Sequence, residues 1–246
     1  MTHLVWLVAT LCFSLGAVQA QVLAVAPKLP VLVTSADGKT PDGGQAVEIL
    51  TEAARRAGLT LKMEIQPWSR ALLTGSQTAN VLLFPVVRTA EREAQFEWLG
   101  PVNRVEYWVF RRTEGLAPVA KTLDDLKSAS IGTLANNANN EWLKAKLPMA
   151  TIQPVPLYSS LAPMLFLDRF DYLVAARSTF FAELERLGKP RASVQALFPL
   201  VDDVADAKSY VVLAKGSDPQ LVRSIRTALE RMAADGTWDK MYRKYQ

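Results

Sequence analysis

The sequence predicts an α/β protein built as two lobes. Three observations carry the prediction. Short apolar runs alternate with segments of helical periodicity along almost the whole chain, which argues for parallel or mixed sheets covered by helices. The chain has 246 residues, long for one hydrophobic core and comfortable for two. A soft stretch near the middle, Thr113–Lys121 (TEGLAPVAK), is rich in small residues and turn formers, and Asp202–Lys208 is a second polar stretch.

The elements follow in order. Pro30–Ala36 (PVLVTSA) reads as a strand. Gln45–Ala57 places Val47, Leu50, Ala54 and Ala57 on one helical face, with Gly58 set to cap it. Leu61–Gln66 alternates like a strand, and Pro67 opens a short helix (PWSRALLTG). Ala79–Phe84 is a continuous apolar run, as in a strand buried on both faces. Arg104–Arg112 (RVEYWVFRR) reads as another strand. The second half repeats the alternation: strands at Ser130–Leu134, Thr151–Leu157, Asp171–Ala175 and Ser209–Ala214, and helices at Asn139–Leu147, Ser160–Asp168 and Ser178–Leu187. Ser217-Asp-Pro-Gln220 starts a helix with Ser217 as its cap. Leu221, Ile225, Leu229 and Met232 line one face of that helix, and Gly236 ends it before a last helix, Thr237–Tyr245.

Residues 4–18 are an uncharged apolar run, too short for a membrane-spanning helix of about 20 residues. Val18 and Ala20 supply small residues for cleavage before Gln21, so residues 1–20 read as an export signal. The chain's single His (His3) and single Cys (Cys12) both lie in it. The remainder then has no thiol nucleophile, disulfide, Cys/His metal site or His general base. No cofactor and no metal are expected. The net charge of +4 is scattered and lacks the basic-aromatic interleaving of a nucleic-acid surface. A modest bias toward small anions is what this charge supports.

Thr89–Pro101 (TAEREAQFEWLGP) resembles a segment typical of family 3 periplasmic solute-binding proteins, the extracytoplasmic receptors of amino-acid-type ABC importers. Other pieces match that family in order: Pro67-Trp-Ser-Arg70-Ala, Leu123-Asp-Asp-Leu126 through Ile131-Gly132, Leu167–Tyr172, and the ending Gly236–Tyr245. The resemblance spans nearly all of residues 24–246. It implies a two-lobed type II periplasmic-binding-protein fold, with lobe 1 as residues 21–107 plus the tail from 210 and lobe 2 as 112–206. Strands 104–112 and 209–214 would be the crossovers of a hinge that closes over ligand. A periplasmic monomer working with an inner-membrane ABC permease is expected.

The resemblance places Arg92 on the family arginine that holds a ligand carboxylate. A guanidinium suits that role through its bidentate fork. Arg70, behind Pro67-Trp68, is a second cleft candidate, and Arg88 a weaker one. Trp68 offers a platform for a ligand or packs against Leu72. Tyr107 and Trp108 alternate on a strand, so one of them faces the cleft. Asp37, at a strand's C-terminal edge, either meets a ligand cation or caps a turn. Asn137, within Asn136-Asn137-Ala138-Asn139, either binds ligand or caps a helix. Arg177 follows the strand after which amino-acid binders usually carry an acidic residue for the ligand's ammonium. Here that stretch is Ala175-Ala176-Arg177, and Pro85-Val86-Val87 replaces the family's hydroxyl-rich run. A ligand other than an ordinary zwitterionic amino acid is therefore expected. The alternatives are a sensor protein docking on a membrane kinase and a cyclohexadienyl-dehydratase-like lyase, which resembles the same family and needs no His.

Overall fold

The computed structural model describes residues 21–200 and 207–245. The expected export segment, residues 1–20, and residues 201–206 of the second polar stretch lie outside them. The elements are β1 (Gln21–Ala26), α1 (Gln45–Arg56), β2 (Thr60–Ile65), α2 (Trp68–Gln77), β3 (Leu82–Val87), α3 (Ala90–Glu93), β4 (Phe96–Val105) and β5 (Tyr107–Arg112). They continue as β6 (Ser130–Leu134), α4 (Ala138–Lys146), β7 (Thr151–Val155), α5 (Leu161–Phe166), β8 (Tyr172–Ala176), α6 (Arg177–Arg186) and β9 (Val194–Pro199). The last are β10 (Ala207–Ala214), α7 (Pro219–Ala234) and α8 (Thr237–Arg243).

These form two mixed five-stranded sheets and hence two lobes. The first has the order β2-β1-β3-β10-β4 and the second β7-β6-β8-β5-β9. In the first, β1 runs parallel to β2 and β3, while β10 runs antiparallel to β3 and β4. In the second, β6 runs parallel to β7 and β8, and β5 runs antiparallel to β8 and β9. All six residues of β3 are buried, as its unbroken apolar run requires.

Helix α1 shows how local sequence fixes an element. Val47, Leu50 and Ala54 are buried on one face, and Ile49 completes the contact with the first core. Glu48 near its start and Arg55 and Arg56 near its end complement the helix dipole. Its first N–H groups, at Gln45 and Ala46, donate to the carbonyls of Val31 and Leu32. That close approach requires Gly44 (φ 101), because a Cβ there would sit 2.6 Å from the Leu32 carbonyl.

Several expectations need correction. Pro30–Ala36 is not a strand. Val31 has φ 70, and only isolated bridges, Leu29 with Val33 and Thr34 with Gly43, order the segment. The first strand is instead β1, nine residues upstream of Pro30. The single strand expected over 104–112 is two strands in different sheets, separated by Glu106. The strand β10 sits inside the first sheet rather than only bridging lobes. The cap of α7 is Asp218, whose side chain accepts from Gln220 N, while Ser217 Oγ accepts from Asn80 N. The part of β4 before Arg104, residues 96–103, and the whole of β9 were not expected.

A contiguous apolar cluster joins the lobes. It holds Val25, Trp68, Leu83 and Phe96 from the first side and Phe110, Leu134, Leu173 and Phe180 from the second. Burying each of these large side chains contributes about 1.5–3 kcal/mol, so this cluster holds the lobes together as well as filling them.

Candidate functional site

The turn after β6 presses against the start of α2. Asn136 takes a left-handed conformation there (φ 57), which Asn tolerates better than most residues. Its carbonyl oxygen consequently points at two donors from the first lobe. Trp68 Nε1 donates to it over 2.8 Å and Arg92 Nη2 over 2.7 Å. The Asn136 amide donates in turn to Ser69 Oγ over 2.9 Å.

Arg92 lies on the short α3, positioned by Thr89 and the end of β3. Its Nη1 donates to the Val87 carbonyl over 3.1 Å, and its guanidinium lies 5.6 Å from the Trp68 ring centre, within cation–π range. The side chain is 9% exposed. Burial lowers its pKa, partly opposed by Tyr107, Glu91 and Glu141, yet a guanidinium stays charged. Among the described residues no carboxylate pairs with it.

Tyr107 opens β5 and donates from Oη to Asn137 Oδ1 over 2.9 Å. Burial pushes its pKa up to about 12, against the pull of Arg92 and the Asn137 bond. Of the alternating pair, Tyr107 is the one that lines the cleft. Trp108 lies under Arg177 instead.

Two cavities occupy the space between the sheets. An inner chamber of about 60 Å³ is lined by Asn103, Tyr107, Asn137, Tyr158, Thr179 and Ser209, together with apolar side chains. An outer cavity of about 790 Å³ lies between the β1–α1 loop and Trp68 on one side and Tyr158, Glu183 and Arg186 on the other. Leu29, Leu134 and Tyr158 line both, so they form the partition between them. Glu183 is buried and is held by Arg186 through Nε (2.8 Å) and Nη2 (2.6 Å).

The structure brings Trp68, Arg92, Tyr107 and Asn137 together. Of these, Trp68 lines the outer cavity and Tyr107 and Asn137 the inner chamber, while Arg92 lies beside them behind Val87 and Asn136 without lining either. Asp37, Arg70 and Arg177 line neither cavity. Asp37 is exposed and caps a turn, accepting from Lys39 N, Thr40 N and Ser35 Oγ. Arg70 is exposed on α2. Arg177 is exposed, its guanidinium 5.0 Å from the Trp108 ring and 5.7 Å from Phe181. Arg88 pairs with Glu93 outside the cleft. Sequence reading missed Tyr158 and Ser209. Each had a faint signal: Tyr158 follows the C-terminal end of a strand, and Ser209 is a small polar residue opening an apolar run.

Two mixed sheets with a cleft between them, entered by loops from both, define a ligand-binding architecture. Solved structures share it. An ancestral arginine-binding protein bound to arginine superposes with a TM-score of 0.79 at 18% identity, covering 92% of this chain and 97% of that one. A histidine kinase sensor domain with similarity to periplasmic binding proteins gives 0.80 at 17% identity, covering 92% and 95%. An amino acid ABC transporter substrate-binding protein from Streptococcus pneumoniae, bound to L-arginine, gives 0.76 at 16% identity, covering 92% and 94%. The fold is thus the two-lobed type II fold of periplasmic binding proteins. Residues 22–246 match the bacterial extracellular solute-binding proteins, family 3, and the chain belongs to that family. No curated protein matches it. Among the described residues no helix is long and apolar enough to cross a membrane.

Proposed function

We propose that this solute-binding protein works in the periplasm, captures a small polar, carboxylate-bearing ligand between its lobes, and presents it to an ABC-type importer of the inner membrane. The lobes follow the two sheets, which shifts the expected boundaries so that Tyr107–Arg112 joins the second lobe and Ala207–Ala214 the first, and they close over the ligand by a hinge movement. The observation that carries this reading is Arg92. It is a buried guanidinium at the meeting point of the two lobes, acted on from a distance by Glu91 and Glu141 but with no carboxylate in ion-pair contact among the described residues. A buried charge without its counter-ion is costly, and an incoming carboxylate relieves that cost. The Asn136 carbonyl holds the guanidinium in the meantime, together with Val87.

Binding rather than catalysis is favoured by the lining of the inner chamber, where no acidic or basic side chain offers proton transfer. The test is a thermal-shift screen of small carboxylates, amino acids and sugars, since a ligand of the native state raises the melting temperature. The true ligand's shift disappears in Arg92→Ala. A full shift in that variant would move the site elsewhere. Turnover of prephenate or arogenate by the wild-type protein would replace the receptor reading with a lyase.

A further inference from the structure

Ser209 is 2% exposed, and its Oγ is buried without a hydrogen-bond partner among the described residues. The Tyr158 Oη is buried in the same condition. Both residues line the inner chamber. The chamber's other polar groups are largely engaged with one another. Tyr107 bonds Asn137, and the Asn139 amide accepts from Thr133 Oγ1 and donates to the Val174 carbonyl. Two hydroxyls on opposite lobes thus share the inner chamber as a space where an incoming group would meet both, Tyr158 bordering the outer cavity as well.

The chamber has no acidic lining residue. At the end of β8 the wall is Ala175 and Ala176, and the next residue, Arg177, turns outward onto Trp108. Glu183, the buried carboxylate that acts on Tyr158 from the outer cavity, is already engaged by Arg186, so an ammonium in the chamber would lack an acidic lining partner, a costly arrangement in a protein interior. The tyrosine hydroxyls remain neutral donors, because burial raises the pKa of both Tyr107 and Tyr158. A volume of about 60 Å³ lies between the roughly 10–15 Å³ that admits one water and the roughly 150 Å³ of a cavity that takes benzene, room for a hydroxyl on one or two carbons.

We propose that the inner chamber takes an uncharged hydroxyl-bearing group, with Tyr158 and Ser209 as its hydrogen-bond partners, and that the ligand class is small hydroxy acids. The inference rests on the assignment of Arg92 to the carboxylate and adds what faces the rest of the ligand. Hydroxy and amino acids of one carbon skeleton differ here by a charge that the chamber cannot pair.

Calorimetric titration of the wild-type protein separates the two ideas. The probes are glycolate, lactate and 2-hydroxybutyrate, their amino counterparts glycine, alanine and 2-aminobutyrate, and the diols ethylene glycol and propane-1,2-diol. The expected result is binding of a hydroxy acid at least about tenfold tighter than its amino counterpart. An amino acid binding as tightly as its hydroxy partner overturns the chamber assignment and leaves the Arg92 reading intact. Diols binding while all acids fail overturns the Arg92 reading and keeps the chamber assignment. No binding by any probe overturns both. A second measurement uses Ser209→Ala and Tyr158→Phe, with circular dichroism confirming the fold. Each variant is expected to lose the preference for lactate over propionate, while propionate binding is unchanged. An equal loss for both acids would make these residues structural and overturn the proposal.

Discussion

Arg92 and Asn136 meet across the cleft: Arg92 Nη2 donates to the Asn136 carbonyl oxygen over 2.7 Å, although 44 positions separate them in the chain. The same oxygen accepts from Trp68 Nε1. One backbone carbonyl of the second lobe thus satisfies two donors of the first, which is what a carboxylate oxygen would offer. In the proposed mechanism, ligand and Asn136 compete for the same guanidinium, and the protein's own carbonyl is a weaker, uncharged competitor.

Trp68→Phe keeps the ring and deletes one donor. A hydrogen bond of this kind contributes about 1 kcal/mol, so the closed arrangement loses about that much. Small-angle scattering of the ligand-free variant is expected to show a larger radius of gyration than wild type. An unchanged radius would show that the Asn136 contact does not hold the lobes together.

Arg92→Lys preserves the charge and loses the fork. A lysine cannot reach the Val87 and Asn136 carbonyls together as a guanidinium does. Urea denaturation should show a loss of ~2 kcal/mol, the scale of charge-assisted hydrogen bonds, and titration with the true ligand should show at least about tenfold weaker binding.

Gly44→Ala is expected to destabilise by about 2–3 kcal/mol. The added methyl would meet the Leu32 carbonyl at 2.6 Å, at a backbone angle that L-residues avoid. Gly38→Ala is the control. Its φ is also positive, but no atom lies within 4 Å of the added Cβ, so only the conformational cost of about 1 kcal/mol remains. Equal melting temperatures for the two variants would contradict this account.

The pH profile has two limbs. Glu52 is held down to about 2 by Arg55 and Arg56, Asp235 to about 2 by Thr237 and Arg56, and Asp37 to about 2 by the Thr40 and Lys39 N–H groups and Ser35. Their ordinary values are 4.5 and 3.8. Depressed carboxylates stabilise fully above the unfolded values, and the contribution is lost as pH falls from there toward 2. Tyr107 acts at the other end. Its raised value stabilises below 10, and that contribution is lost as pH rises to about 12. Melting temperature against pH should therefore be flat near neutrality and fall at both ends. Arg56→Ala should make the acid fall shallower, because it removes a partner of both Glu52 and Asp235.

Much of the fold was legible because helices and buried strands carry local signatures. The stretch Ser130–Leu134 and the helix from Gln45 read directly from apolar period and caps. The failures have physical causes. Pro30–Ala36 alternates like a strand, yet its backbone is spent capping α1, which no local pattern announces. The middle of β4 is Gly100-Pro101, a breaker pair in most contexts. Because β4 is an edge strand, the missing proline N–H costs no central ladder bond. In the site, family likeness pointed to Arg92, but the Asn136 carbonyl is a backbone atom and leaves no trace in side-chain chemistry. Asp37 shows the reverse. Its short-range turn geometry was one of two open readings, and the turn is where its lone pairs go.

The position of β10 has a consequence for the order of assembly. The second sheet draws all its strands from one uninterrupted stretch, residues 107–199. The first sheet needs β10 between β3 and β4, and β10 comes last of all the strands. A chain emerging from its N-terminus can thus complete the second sheet while the first still lacks its interior strand, with β3 and β4 unpaired along facing edges. Unpaired edges invite association with other chains. During synthesis and export the vulnerable part is therefore the lobe that begins first and finishes last.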